Sequence, residues 1–202
     1  MQDIAGCRIV TESSAAQDEV VARIADVFQD VKVVDRRAAP SNSYRAVHCI
    51  VTVGKLSIEI QVRSPLQHLW AELSERASDV IDPDLKYGGG PEQWRVELEL
   101  ASKHVAAFER YERSVATVTA LYEEWFVVAH DLEAACKEVL SGNPEDEVGK
   151  AARVELKRTQ KKLARAGKER DEGLADLEAS RHDLVNSLNG LIHRLNAIRR
   201  TP

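Results

Sequence analysis

Near Gly90 this chain changes character: short β-branched runs broken by turn residues give way to almost nothing but helix formers. Such a chain divides into two modules, a mixed α and β part over residues 1–90 and a helical part over residues 91–202. In the first part, residues 7–10 and 31–34 read as strands. The stretch 17–28 between them puts Val20, Val21, Ile24, Val27 and Phe28 on one side, as an amphipathic helix does. Residues 46–53 and 56–63 then flank Gly54-Lys55, the signal of a tight hairpin. Pro65 opens a helix running to about Asp79, and Asp82-Pro83-Asp84 with Gly88-Gly89-Gly90-Pro91 marks a loop.

The helical part reads as two long helices. From Trp94, the residues Leu98, Ala101, Val105, Phe108, Val115, Tyr122, Phe126, Ala129, Cys136 and Leu140 follow steps of three, four and seven. The pattern stops at Ser141-Gly142. Asn143-Pro144-Glu145-Asp146 restarts it, with Asn as N-cap, Pro in the first turn and acids where the helix dipole favours them. The next helix should run to near Arg199, with Leu174, Leu177, Leu184, Leu188, Leu191, Leu195 and Ile198 as its seam, broken at Arg181. An antiparallel helical hairpin, packed on itself or on the first module, is the plainer reading; an arm for oligomerisation or for an antitoxin partner is the other. Lys157, Arg158, Lys161, Lys162 and Arg165 form a basic cluster that suits either solvent or RNA.

Composition removes several classes. The 202 residues are 44% hydrophobic and 30% charged, with 33 acids against 28 bases. No apolar run approaches the roughly 20 residues needed to cross a bilayer, and Met1-Gln2-Asp3 does not begin a signal peptide. No membrane partner is expected. Cys7, Cys49 and Cys136 lie far apart without a CxxC pair, which supports neither a disulfide framework nor a zinc knuckle; they read as reduced thiols of a cytoplasmic protein.

Chemistry concentrates on the second hairpin strand. Ile58, Ile60 and Val62 alternate with Glu59, Gln61 and Arg63, so one face enters a core and the other presents an acid, an amide and a guanidinium. Such a row could hold a metal and a phosphate together, or be the ordinary solvent face of an antiparallel sheet. The preceding loop, Pro40 to Arg45, carries Tyr44, an aromatic able to stack on a base.

Three blocks, Asp3-Ile4-Ala5-Gly6-Cys7-Arg8-Ile9-Val10, Asn42-Ser43-Tyr44-Arg45-Ala46-Val47-His48, and Ile58-Glu59-Ile60-Gln61-Val62-Arg63 followed by Gln67-His68-Leu69-Trp70-Ala71-Glu72-Leu73, resemble the synthetase domain of the RelA/SpoT family. The resemblance covers roughly residues 2 to 90, and the Lys86 to Gly90 loop also looks like a branch of that family. It implies an α+β fold, a nucleotidyltransferase-like mixed sheet with helices, followed here by the long helical hairpin. It also implies transfer of a pyrophosphoryl group from ATP to the 3′-hydroxyl of GDP or GTP, giving (p)ppGpp, as a GTP pyrophosphokinase. By resemblance, Asp3 and Glu59 would be catalytic and hold Mg2+, with Glu59 accepting the 3′-OH proton or orienting it through the metal. Tyr44 would stack on the acceptor guanine, with Asn42, His48, Gln61 and Arg63 lining that side and His68 a weaker candidate. Arg8 would lie against the donor adenine. Trp70 and Leu73 read as core.

Departures from the family pattern carry their own expectations. The family places a basic loop that clamps the ATP phosphates before the Asp-x-x-Gly-x-Arg block, which here starts at Asp3, so the donor side is expected to be impaired by N-terminal truncation. Ser43 replaces a family glycine ahead of the stacking tyrosine, and Ser74 replaces a glutamate for which Glu72 or Glu75 would compensate. A His-Asp cluster for alarmone hydrolysis is lacking. Relatives that pyrophosphorylate the 3′ end of tRNA make tRNA an alternative acceptor, and a non-catalytic nucleotide-binding or interaction remnant is the third possibility. Loss of a first helical layer would expose the sheet around Ile9 and Val33, favouring a homo-oligomer or cover by the long helices.

Overall fold

The structure, a computed structural model, describes residues 5–142 and 145–199. Its elements are strand β1 (Ala5–Val10), helix α1 (Ser14–Val27), strands β2 (Val31–Asp35), β3 (Val47–Val53) and β4 (Leu56–Arg63), and helices α2 (Pro65–Val80), α3 (Glu92–Gly142) and α4 (Glu147–Ile198). This is the α+β class expected, with a mixed sheet followed by two long helices. The loop after α2 tightens into a short 3-10 turn, Pro83–Tyr87, opened by the Asp82 side chain accepting from the Asp84 amide. Asp3, and the Asn143 and Pro144 of the helix restart, lie outside the described residues.

The four strands are ordered β1-β4-β3-β2. β1 runs parallel to β4, pairing Gly6 with Glu59 and Arg8 with Gln61, while β3 is antiparallel to both neighbours and pairs His48 with Gln61. β1 and β2 are therefore parallel strands on opposite edges. The α1 connection must cross the sheet between them, and its 14 residues, about 21 Å long, suffice to span four strands. Ser13 caps α1 by accepting from the Ala16 amide at 3.1 Å. Ser64 and Gln67 form a reciprocal capping box on α2, with Pro65 in the first turn.

Alternation in β3 and β4 gives the sheet two unlike faces. Val47, Cys49, Val51, Ile60 and Val62 form the buried core with Ile24 of α1, and Ile9, Val20, Val21, Phe28, Val31 and Ile58 pack around it. α1 thus covers the face expected to lie open. Ile9 is half-buried, and Val33 remains exposed at the β2 edge. Glu59, Gln61, Arg63 and His48 share the other face.

The chain divides into two compact units, one of residues 1–110 with 180–202 and one of residues 111–179. In the first, Trp70 of α2 donates its Nε1–H to the Leu98 carbonyl of α3 at 3.0 Å, and Leu98, Ala101, Val105, Phe108, Leu188, Leu191 and Leu195 are buried. In the second, Val115, Ala129 and Cys136 are buried and α3 and α4 run antiparallel: Tyr122 lies against Gly167 and Arg170, and Val115 against Gly173. Among the described residues, no helix is long and apolar enough to cross a membrane. Cys7 is exposed, Cys49 and Cys136 are buried, and all three are free.

Candidate functional site

On the polar face, five side chains close into one hydrogen-bonded ring. Arg63 donates from Nη2 to the Tyr44 hydroxyl at 2.8 Å and to Gln61 Oε1 at 2.9 Å. Gln61 donates from Nε2 to Glu59 Oε2 at 3.1 Å. On the other arm, Tyr44 Oη meets His48 Nε2 at 3.0 Å, and His48 Nδ1 meets Glu59 Oε1. Every bond is satisfied when the phenol donates to Nε2 and His48 carries its proton on Nδ1. Both arms then start at Arg63 and end on Glu59. Strand geometry explains the assembly: residues two apart on β4 share a face, and the antiparallel register sets His48 directly opposite Gln61.

The electrostatics follow from the ring. Burial alone would raise the Glu59 carboxyl, but hydrogen bonds from His48 and Gln61 and the Arg63 charge outweigh it and hold Glu59 below its ordinary 4.5, so it is an anion at neutral pH. Burial pushes the Tyr44 phenol up, against the nearby Arg63 charge, so that it remains a neutral donor. Arg63 is only 2% exposed, and its Nε and Nη1 are buried without a hydrogen-bond partner. A buried guanidinium with unspent N–H groups is costly unless a ligand oxygen completes it. Arg63 also sits 5.3 Å from the Tyr44 ring centroid, while the Tyr44 and His48 rings meet edge to face.

All of the ring but Glu59 opens on a cleft of about 310 Å³, where Tyr44, His48, Gln61 and Arg63 are joined by Asn42, Trp70, Ser74, Glu75 and Lys86. Asn42 and Ser43 both adopt positive φ, 49° and 68°. Asparagine tolerates this, but serine does so at a cost of about 1 kcal/mol. The family glycine is therefore absent while the backbone conformation it favours is kept. Ser43→Gly should raise Tm by roughly 2–4 °C in a thermal melt; no rise would show that the turn is unstrained. Across from Asn42, Gly88 has φ 82°, and a Cβ there would come within 2.8 Å of Asn42 Oδ1, so glycine is needed for this close approach.

The turn is held from α3. Ser102 Oγ donates to the Ser43 carbonyl at 2.6 Å. Next to Tyr44, Arg45 gives Nη2 to Glu109 Oε2 at 2.8 Å, and Glu109 is 1% exposed, its other oxygen accepting from Gln67 Nε2. Sequence pattern did not single out Ser102, Arg45 or Glu109, because a polar residue on a helical repeat or in a loop reads as a solvent position. Of the two acids proposed to replace a family glutamate at Ser74, Glu75 reaches the cleft margin, and its Oε1 lies 3.8 Å from Arg8 Nη2. Arg8 stands beside Gln61 on the same sheet face. Trp70 and Leu73 are core, 2% and 1% exposed. His68 is half-buried with an unpartnered Nδ1 and lines no part of the cleft.

Magnesium takes one or two carboxylates together with phosphate oxygens and waters. Glu59 fits that demand: it is anionic, and its two hydrogen bonds leave lone pairs on both oxygens. Among the described residues no cluster of three metal-ligating side chains occurs, and Asp3, the second expected ligand, lies outside them.

Fold and cleft together define an α+β protein with a polar, carboxylate-ended site on one face of a mixed sheet. Residues 1–78 match the family model described as the region found in RelA / SpoT proteins, and this part of the chain carries that region. Over 96 residues the chain is also 38% identical to the uncharacterized proteins Rv1366 of Mycobacterium tuberculosis and Mb1401 of Mycobacterium bovis. The alignment takes in 46% of this chain and 35% of each relative, so the chain spans about a third of the length of the curated relatives it matches.

Proposed function

We propose that the protein is a GTP pyrophosphokinase-like enzyme that moves a pyrophosphoryl group from ATP to the 3′-hydroxyl of GDP or GTP. The observation carrying this reading is the ring that ends on Glu59, whose other four members, Tyr44, His48, Gln61 and Arg63 with its unspent N–H groups, line one cleft. The RelA/SpoT match of residues 1–78 supports it.

Tyr44 offers a ring face to the acceptor guanine, with Asn42 and Gln61 placed to fix the nucleoside. Arg63 meets an anionic phosphate oxygen through Nε and Nη1. Glu59, oriented by His48 and Gln61, takes the proton of the 3′-hydroxyl as that oxygen bonds to the β-phosphorus of ATP; the bond from this phosphorus to the α,β-bridging oxygen breaks, and AMP leaves with the electron pair. Arg8 is the side chain for the donor adenine. Magnesium, held by Glu59 and Asp3, would neutralise charge on the transferring phosphates.

The test follows label from β,γ-labelled ATP into GDP, GTP or tRNA in the presence of magnesium. Wild-type protein should label GDP or GTP, and Glu59→Gln should lower the rate about a thousandfold while leaving guanine nucleotide bound. Equal rates in wild type and Glu59→Gln would sink the assignment of Glu59. Tyr44-dependent binding with no transfer would instead make the protein a nucleotide-binding module. A second reading keeps the chemistry and changes the acceptor to tRNA, favoured by the exposed Lys157, Lys161 and Lys162 of α4. In that case charge reversal at these lysines should abolish tRNA labelling and spare transfer to nucleotides.

A further inference from the structure

Within the unit of residues 111–179, α3 carries two heptad stripes. The first, Val115, Thr119, Tyr122, Phe126, Ala129, Glu133, Cys136 and Leu140, steps by four and three residues and faces α4, where Arg170 lies 4.3 Å from the Tyr122 ring centroid. The second, Val118, Leu121, Trp125, Val128, Leu132, Ala135 and Val139, keeps the same spacing one residue out of phase. At 100° per residue it lies about 100° around the helix from the first. Its large members are 36% to 62% exposed. The stripe runs for about 30 Å and presents on the order of 500 Å² of apolar side chain, within the range of patches that serve as interaction surfaces.

What borders the stripe identifies its occupant. Glu124, Asp131 and Glu138 repeat every seventh residue, each immediately before Trp125, Leu132 and Val139, and form an exposed acidic rail along one edge. Among the described residues, none of the three joins an ion pair, whereas the neighbouring Glu133 pairs with Lys137. In helix pairing, apolar heptads supply the affinity and flanking charges select the partner. A second copy docking antiparallel by the same stripe would set acid against acid, Glu124 near Asp131, and one docking parallel would bring each acidic rail to the Tyr122 edge that already packs on α4. We propose that this stripe docks one amphipathic helix of another protein, whose apolar heptads are bordered by lysine or arginine.

The test uses the full chain and two labelled synthetic 28-residue helices with leucine and valine heptads, one bordered by lysine and its twin by glutamate, followed by fluorescence anisotropy. The lysine probe should bind at least tenfold tighter than the twin, and more weakly as salt rises. Leu121→Glu with Val128→Glu should lose that binding at least tenfold at unchanged helix content in circular dichroism. Glu124→Lys with Asp131→Lys should shift preference toward the glutamate twin. Equal binding of both probes, or of neither, would overturn the proposal. So would dimerisation in sedimentation velocity that disappears in Leu121→Glu with Val128→Glu, because the stripe would then belong to a second copy.

Discussion

Glu109→Ala should cost about 3–5 kcal/mol of folding stability and lower Tm by roughly 10 °C, read in urea and thermal melts. The carboxylate is almost fully enclosed, with Arg45 on one oxygen and Gln67 and Ser64 on the other. Removing it leaves the guanidinium of Arg45, itself 8% exposed, without its counter-charge in a poorly solvated site. The loss propagates because the network is continuous. Gln67 exchanges hydrogen bonds with Gln17 of α1, and Gln17 in turn accepts from Arg37, which pairs with Asp35 and Asp18. Since Arg45 follows Tyr44 directly, guanine nucleotide binding should weaken together with stability. The double variant Glu109→Leu with Arg45→Met removes both charges and should recover much of the loss. A Glu109→Ala protein within 1 kcal/mol of wild type would show that water replaces the carboxylate at no cost.

Trp70→Ala is the second large effect, about 3–5 kcal/mol, because a 2% exposed indole is removed from between α2 and α3 and the space cannot fully collapse. The same change reaches the cleft. The Trp70 ring is 6.1 Å from that of Tyr44, so its loss frees one flank of the residue expected to stack on the acceptor base. Trp70→Phe separates the two consequences: most of the packing stays, the hydrogen bond to the Leu98 carbonyl goes, and the cost should be about 1–2 kcal/mol. Nucleotide affinity should fall clearly in the alanine variant and little in the phenylalanine variant. Equal affinity in both would detach Tyr44 from Trp70.

Much of this architecture was legible in the sequence because its signals are periodic. The alternation of Ile58, Ile60 and Val62 with Glu59, Gln61 and Arg63 is set by the pleat, and β4 carries it as expected. Pro65 announced the start of α2, to which the structure adds the Ser64 and Gln67 capping box. Two things were not legible, for physical reasons. A helix stripe in sequence gives spacing but not how many faces are covered, so the second stripe of α3 stayed hidden behind the first. A buried charge such as Glu109 has no local signature, since what makes its burial tolerable, Arg45 and Gln67, is 64 and 42 residues away. The site face was readable as a row of polar residues; that the row closes into a ring ending on Glu59 depends on the register of β3 with β4, which alternation alone does not fix.

The first unit is interrupted in sequence: its last piece, from Ser180 onward, follows the whole of the second unit. During synthesis on the ribosome, the sheet and the first turns of α3 emerge long before the buried Leu188, Leu191 and Leu195 of α4 exist. The intervening helical hairpin is local and can pair early, whereas closure of the sheet unit waits for the last turns of α4. A nascent chain therefore exposes an unfinished apolar surface until Leu195 has emerged, and a premature stop anywhere in α4 before Leu188 would leave it so for good.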